Sequence, residues 1–140
     1  MKSKASQYFG LQKAGKCNMA ASHLEIGKKS ENLVRDYLVS KGLTLLAENY
    51  AVSGYGELDL VFQKDDWIYI VEVRSRKLYT GNLWQEDAAF DMKKMRKIKR
   101  TAAIYIKEHQ LSEFNISILC ALVLRDTQKK EAHLRFFEVK

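Results

Sequence analysis

The stretch GELDLVFQKDDWIYIVEVRSR, residues 56–76, decides how the middle of this chain folds. Residues 57–63 and 67–74 are rich in β-branched and aromatic side chains, and the polar segment Lys64-Asp65-Asp66 separates them. Two such runs around a short polar segment are typical of two strands joined by a tight turn. We therefore predict an antiparallel hairpin with Asp65 and Asp66 in its loop.

A two-residue loop fixes which residues of the hairpin face each other. Asp59 then lies opposite Glu72 and Glu57 lies opposite Arg74, with all four side chains on one face because successive side chains in a strand alternate. The apolar side chains expected on the other face are Leu58, Leu60, Phe62, Val71 and Val73. A three-residue loop would change the register and separate the two carboxylates.

The opposed carboxylates of Asp59 and Glu72 need compensation, because like charges about 5 Å apart across a strand pair destabilise a sheet. A divalent cation supplies it, and Mg²⁺ usually binds one or two carboxylates together with phosphate oxygens. With the fixed positive charge of Arg74 beside them, these groups suit phosphodiester cleavage. The alternative is a solvent-facing strand ladder in which Glu57 and Arg74 form a surface ion pair.

Glu31 favours the metal site over that alternative. A helix is predicted over residues 23–41, after a Ser22 cap and before a Gly42 stop. Glu31 falls at the edge of its apolar stripe, which must face the sheet. A carboxylate there is costly unless it is paired, hydrogen-bonded or close to a metal. A Glu side chain that reaches solvent from the edge of the stripe would also account for it.

The rest of the chain surrounds this hairpin with further regular elements. Hydrophobic periodicity predicts strands over 43–49, 117–124 and 134–139 and a second helix over 92–109. The order is α-β-β-β-α-β-β, which predicts an α/β fold with a mixed central β-sheet flanked by helices. We predict a single domain over residues 23–140, preceded by a basic, loosely ordered tail over residues 1–22.

Positive charge is concentrated in the second helix, where six of the eight residues from 93 to 100 are basic. We predict sequence-independent contacts with nucleic-acid phosphates, with a solvated helix face as the alternative. The candidate contact residues are Arg76, Lys93, Lys94, Arg96, Lys97 and Arg100. Because Lys94 lies at the edge of the apolar stripe of this helix and Lys99 lies inside it, we expect one of the two to bend toward the carboxylates.

Composition excludes several classes of protein. The chain has 140 residues, a net charge of +7, two cysteines and no proline. That cysteine content excludes a disulfide framework, and no segment approaches the roughly 18 apolar residues of a membrane span. We expect a cytoplasmic protein without membrane contact, in which Cys17 and Cys120 are reduced thiols. The oligomeric state is left open, a homodimer included.

Several motifs together resemble the YraN-like family of small bacterial proteins, which is placed in the PD-(D/E)XK nuclease superfamily. In this sequence they are Gly27-Lys28-Lys29-Ser30-Glu31, Ala47-Glu48-Asn49-Tyr50, Gly56-Glu57-Leu58-Asp59-Leu60 and Val71-Glu72-Val73-Arg74-Ser75-Arg76. The resemblance extends roughly over residues 24–124. The pairing of Gly-Glu-Leu-Asp-Leu with Val-Glu-Val at this distance is its most specific part.

The resemblance implies a restriction-endonuclease-like core and a metal-dependent endonuclease that hydrolyses DNA, with branched or damaged DNA as candidate substrates. Asp59 and Glu72 would be ligands of Mg²⁺ or Mn²⁺, the carbonyl of Val73 a third ligand, and Glu31 an acidic contributor to the same site. Arg74 would stabilise the scissile phosphate.

Two positions depart from the family pattern, which normally has Lys where this chain has Arg74 and usually Gly where it has Ser30. The superfamily lysine is thought to orient or activate the attacking water, whereas Arg stays protonated and cannot act as a base. The alternative function is therefore a nucleic-acid-binding protein that retains the nuclease fold without cleavage. A third hypothesis is an interaction domain whose acidic face binds a protein.

Overall fold

Six strands form one mixed sheet in a computed structural model that describes residues 10–16, 23–78 and 92–139. In chain order the elements are β1 (Gly10–Lys16), α1 (His23–Ser40), β2 (Thr44–Val52), β3 (Gly56–Lys64), β4 (Trp67–Leu78), α2 (Met92–Glu108), β5 (Asn115–Asp126) and β6 (Glu131–Val139). The order of the strands across the sheet is β1-β6-β5-β4-β3-β2. The predicted α/β fold, a mixed sheet flanked by two helices, is confirmed.

The connection that contains α2 differs from the others. It joins β4 to β5, the parallel pair, whereas the ladders β2–β3, β3–β4, β5–β6 and β1–β6 are antiparallel. A parallel pair requires a crossover rather than a tight turn, and a helix usually supplies it. The crossover carries α2 over the sheet face that holds the hairpin residues of interest.

The prediction of a loosely ordered tail over residues 1–22 is wrong for Gly10–Lys16. These residues form the edge strand β1, which pairs with β6 from Gly10↔Phe136 to Lys16↔Glu131. The segment GLQKAGK lacks the apolar alternation that signals a strand. It is ordered by backbone hydrogen bonds to β6, which do not depend on its own side chains. Residues 1–9 and 17–22, including the predicted Ser22 cap, lie outside the described residues.

The predicted hairpin register is confirmed between Leu60↔Val71 and Lys64↔Trp67, with Asp65 and Asp66 as a two-residue loop. The ladder ends at Leu60↔Val71, so neither of the pairs predicted beyond it, Asp59 with Glu72 and Glu57 with Arg74, forms as a ladder pair. Glu57 instead lies beside Ala51 of β2. The two strands of the hairpin therefore separate at the level of the carboxylates.

Two apolar clusters cover the two faces of the sheet. Under α1 the cluster includes Val34, Leu38, Leu60, Phe62 and Val71. Under α2 it includes Val61, Ile70, Ile98, Ala102 and Tyr105. Leu58 belongs to the second cluster, so the prediction that it shares a face with Leu60 is wrong. At this point its strand is no longer paired with β4 but stays paired with β2, at Tyr50↔Leu58.

The first helix ends as the sequence predicts. Gly42 has a φ of 92°, a conformation that glycine adopts without steric cost. The amide of Gly42 donates to the carbonyl of Val39, and that of Leu43 donates to the carbonyl of Leu38. These two bonds form a Schellman motif, which returns the chain to the sheet as β2.

Candidate active site

Asp59 and Glu72 come together where the ladder between β3 and β4 ends. The amide of Val73 donates to Oδ2 of Asp59 at 2.8 Å, and the amide of Asp59 faces Oε1 of Glu72 at 3.5 Å. Each carboxylate thus lies against the backbone of the opposite strand. The sequence predicted that these two side chains share one face, and the structure brings them together there.

Glu72 is the more buried of the two, with only 3% of its surface exposed. Burial and then the negative charge of Asp59 raise the pKa of Glu72 from 4.5 to about 8. The nearby positive charge of Lys94 opposes that rise. At neutral pH the pair therefore favours a single shared negative charge, the usual outcome when two carboxylates occupy one site.

Glu31 of α1 lies close enough to Asp59 for the two charges to interact. Partial burial and then the charge of Asp59 raise the pKa of Glu31, while Lys28 and a hydrogen bond from Asn49 lower it. Its side chain keeps 20% of its surface exposed. The sequence placed Glu31 at the edge of the apolar stripe of its helix, and the structure brings it near Asp59, although it is not among the described residues that line the cavity.

Asn49 is a residue whose part in this site the sequence did not predict. It adopts a left-handed conformation in β2 with a φ of 50°. By register it faces Asp59, between the pairs Glu48↔Leu60 and Tyr50↔Leu58. Asn is several-fold enriched in this conformation. The signal available beforehand was an Asn inside a segment otherwise suited to a strand.

A cavity of about 220 Å³ opens in front of the carboxylate pair. Asp59 and Glu72 line one part of it, and Lys94, Lys97 and Ile98 of α2 line another. Of the two lysines expected to bend toward the carboxylates, Lys94 does so. Lys99 instead lines a separate groove on α2. Acidic and basic residues therefore line one partly open cavity.

Gly56 permits the close approach of β3 to α2 beside this cavity. A Cβ atom at this position would lie 2.9 Å from Oγ1 of Thr101 and 3.4 Å from Cβ of Lys97. Thr101 is fully buried, and its hydroxyl donates to the carbonyl of Lys97 at 2.7 Å. A larger residue would clash with the buried Thr101 hydroxyl, so that side chain or α2 would have to shift.

The oxygen atoms of Asp59 and Glu72 suit a hard divalent cation whose other ligands come from water and from the substrate. Across residues 10–16, 23–78 and 92–139, no three His, Cys, Asp or Glu side chains form a metal-binding cluster. Asp59 and Glu72 supply carboxylate oxygens, which Mg²⁺ and Mn²⁺ prefer, and such ions commonly complete their coordination with water and phosphate. The two side chains fit this mode of binding, and Glu31 lies near Asp59 as a further acidic group.

Arg74, predicted beside the carboxylates, lies along β4 next to Leu122 of β5. It is not among the described residues that line the cavity. Its positive charge, together with the charges of Lys94 and Arg76, lowers the pKa of Cys120. Burial outweighs these charges and raises that pKa to about 12, which keeps Cys120 a thiol. Lys94 and Lys97, rather than Arg74, are thus the cationic residues among the described residues that line the cavity.

The remaining predicted nucleic-acid contacts lie on exposed surface. Lys93, Arg96 and Arg100 of α2 are exposed, as is Arg76 at the end of β4. The guanidinium of Arg76 donates to the carbonyl of Ser75 at 2.9 Å.

Neither described helix is long and apolar enough to cross a membrane.

A family model matches residues 30–139, which include both carboxylates, Glu31 and all of α2. The chain belongs to the uncharacterised protein family UPF0102. This match confirms the resemblance at the level of the family.

Relatives within UPF0102 match this chain over most of their own length. A UPF0102 protein of Dictyoglomus turgidum is 38% identical over 87 residues, which cover 62% of this chain and 71% of the relative. One of Natranaerobius thermophilus is 32% identical over 113 residues, 78% of this chain and 92% of the relative. One of Vibrio campbellii is 35% identical over 95 residues, which cover 68% of this chain and 75% of the relative. The similarity therefore covers most of the fold.

Proposed function

We propose that this UPF0102 protein is a metal-dependent endonuclease that hydrolyses phosphodiester bonds of DNA, with branched or damaged DNA as candidate substrates. One observation carries the proposal, which is that the carboxylates of Asp59 and Glu72 face Lys94 and Lys97 across a small cavity. Carboxylates that bind a metal, beside cations that bind phosphate, are the groups that phosphodiester hydrolysis requires.

Asp59 and Glu72 would hold Mg²⁺ or Mn²⁺, with the carbonyl of Val73 as a further ligand. When bound, the ion would polarise a phosphoryl oxygen and lower the pKa of a coordinated water. The amide of Val73 orients Asp59 through its 2.8 Å hydrogen bond. Glu31 adds negative charge beside Asp59, which strengthens the attraction for a cation.

Lys94 would take the role that the sequence suggested for Arg74. Its ammonium lines the cavity that Glu72 lines, and its charge acts on that carboxylate. A lysine beside a bound phosphate neutralises the negative charge that grows on its oxygens during the reaction. Lys97, one helical turn further on, lines the same cavity and would bind an adjacent phosphate.

The exposed basic residues would hold the DNA by its backbone. Lys93, Arg96 and Arg100 lie on the same helix as Lys94, and Arg76 lies on the neighbouring strand. Contacts of this kind are made with phosphates, so they carry no base specificity and weaken as salt rises. We therefore expect binding to depend on the shape of the DNA more than on its sequence.

Cleavage assays on junction, flap and linear DNA with Mg²⁺ or Mn²⁺ test the proposal. Asp59→Asn removes one of the two carboxylate charges that would bind the metal and is expected to lower the cleavage rate at least 100-fold. Asp36→Asn is the matched control, because Asp36 is exposed on α1 and pairs only with its neighbour Arg35 among the described residues. Equal cleavage by both variants would refute the proposed site.

A second pair of variants separates catalysis from binding. Lys94→Ala is expected to lower the cleavage rate more than tenfold, whereas Lys93→Ala should change it less than threefold. If the wild-type protein cuts none of the substrates yet shifts them on gels in a salt-sensitive manner, the alternative of a non-catalytic nucleic-acid-binding protein is correct. If it neither cuts nor shifts them, the interaction-domain hypothesis is favoured.

A further inference from the structure

A second concavity lies between the C-terminal half of α2 and the beginning of β5. This isoleucine groove has a volume of about 580 Å³ and is lined by Ala102, Ala103, Ile106, Ile116 and Ile118, with Lys99 and Lys107 also in its wall. None of these residues lines the carboxylate cavity. The groove is therefore a separate feature, and a ligand bound in it would be independent of the proposed endonuclease activity.

The floor and walls of the isoleucine groove are apolar. Ile116 and Ile118 are alternate residues of β5, so they point to the same face of the sheet. Ile116 keeps 40% of its surface exposed, which is unusual for a large aliphatic side chain. The small side chains of Ala102 and Ala103 leave room above the sheet. A branched or aromatic side chain from a partner would bury apolar surface here.

Two lysines bracket this apolar surface. Lys99, Ala103 and Lys107 are spaced by four residues, so they share one side of α2, and eight residues of helix separate the lysines by about 12 Å. No acidic residue is among the described residues that line the groove. In the part of the chain that the structure describes, neither lysine has an ion pair. Within residues 10–16, 23–78 and 92–139, the groove thus carries positive charge without a compensating group.

We propose that the isoleucine groove binds a peptide segment of a partner protein in which a bulky apolar side chain lies between acidic residues. The apolar side chain would fill the space above Ala103 and contact Ile116 and Ile118. Carboxylates on either side of it would pair with Lys99 and Lys107. Charge complementarity around an apolar centre is the usual arrangement of a specific protein contact.

Other anionic partners match the groove less well. The phosphates of a nucleic acid would pair with the two lysines but leave the isoleucines without an apolar contact. A lipid surface is flat, whereas the groove is concave and fits an inserted side chain. The combination of a concave apolar surface and flanking charges therefore favours an acidic peptide with an apolar anchor.

Fluorescence polarisation with the full chain tests this proposal. The probes are labelled eight-residue peptides with three acidic residues on each side of two central residues, which are Leu, Ile, Phe or Trp. Matched peptides replace either the central residues by Ser or the acidic residues by Gln. We expect at least one complete peptide to bind, and both kinds of matched peptide to bind at least tenfold more weakly.

Protein variants locate the binding. The double variant Lys99→Glu with Lys107→Glu is expected to weaken peptide binding at least tenfold. Its control, Lys29→Glu with Lys129→Glu, makes the same change of charge at exposed positions outside the groove and should alter the affinity less than twofold. Ala103→Leu tests the apolar part, because its larger side chain fills the groove on an exposed helix position and should also weaken binding.

Several results would overturn the proposal. They are the failure of every complete peptide to bind, equal loss of binding in the test and control double variants, and equal affinity for the peptides with central Ser. A single-stranded oligonucleotide or anionic phospholipid vesicles that lose binding in the groove variant, while the peptides do not, would assign the surface to nucleic acid or lipid instead.

Discussion

The two halves of the β3–β4 hairpin use the same pair of strands in opposite ways. From the loop to Leu60↔Val71 the strands are joined by a regular ladder, and both faces are covered by apolar side chains. Beyond that pair the ladder stops, and the carboxylates of Asp59 and Glu72 face the backbone of the opposite strand. The paired half is held by buried apolar side chains, whereas the other half carries two carboxylates.

The paired half of the hairpin stabilises the folded protein, whereas the carboxylate half destabilises it. Burial of large apolar side chains stabilises the paired half. In the other half two carboxylates approach each other, and one of them is almost fully buried, which costs free energy in the absence of a cation. A site that costs stability is expected where function requires it. Three predictions test this contrast.

The largest effect is expected in the paired half. Phe62→Ala removes a fully buried ring from the cluster under α1 and should lower the free energy of unfolding by about 3–5 kcal/mol. Gln63→Ala, at the next position and only half-buried, is the control and should cost less than about 1 kcal/mol. Urea unfolding followed by circular dichroism measures both. A Phe62→Ala loss as small as that of the control would contradict the contrast.

In the carboxylate half, a substitution should raise the stability of the protein rather than lower it. The size of the gain should depend on pH. Because the pKa of Glu72 is raised from 4.5 to about 8, the folded protein holds a proton that the unfolded chain releases above about pH 4.5. Stability contributed by this group is therefore present below pH 4.5 and falls as pH rises toward 8. Glu72→Gln removes that dependence and should stabilise the protein by up to about 4 kcal/mol at pH 8, and by about 1 kcal/mol at pH 5.

Urea unfolding of Glu72→Gln at the two pH values, in buffer with a chelator, measures this effect. Glu113→Gln removes the same charge from an exposed turn and should change stability equally at pH 5 and pH 8. A gain for Glu72→Gln that is the same at both pH values would mean that its carboxyl is not held protonated in the folded state.

The smallest effect is expected at Asn49, which lies across from Asp59. Its φ of 50° costs most side chains free energy, so Asn49→Ala should lower stability by about 1 kcal/mol. Asn49→Gly keeps the backbone conformation without that cost and should lose less. Both variants remove the hydrogen bond to Glu31. If Asn49→Ala and Asn49→Gly lower the free energy of unfolding equally, the hydrogen bond to Glu31, rather than the left-handed conformation, explains why Asn stabilises this position.

Local patterns in the sequence predicted much of the fold. The polar Asp65-Asp66 loop fixed the register of the hairpin, because a two-residue connection leaves little freedom in pairing. Gly42 marked the end of α1, since a left-handed terminal residue favours glycine. The edge strand β1 was missed because it depends on β6, more than a hundred residues away.

The candidate site was predictable only in part. Asp59, Glu72 and Glu31 carry signals in the sequence, namely alternation along a strand and a carboxylate at the edge of an apolar stripe. The cations of the site were predictable in part, because the sequence offered Lys94 and Lys99 as alternatives on α2 and placed Arg74 beside the carboxylates. Arg74 is close to Glu72 in sequence and on the same strand, yet Lys94 of α2 lines the cavity because the crossover places that helix over the end of the ladder.

Most of the elements, the hairpin register as far as Leu60↔Val71 and the shared face of the two carboxylates follow from local periodicity and turn chemistry, so the sequence predicts them. The end of the ladder, the packing of Leu58 under α2 and the pairing of Glu57 with Ala51 of β2 do not follow from those local patterns. The tertiary structure also decided that Lys94 and Lys97 face the carboxylates. Those features depend on how the strands separate and how α2 packs on the sheet, which is settled by contacts between residues far apart in the chain.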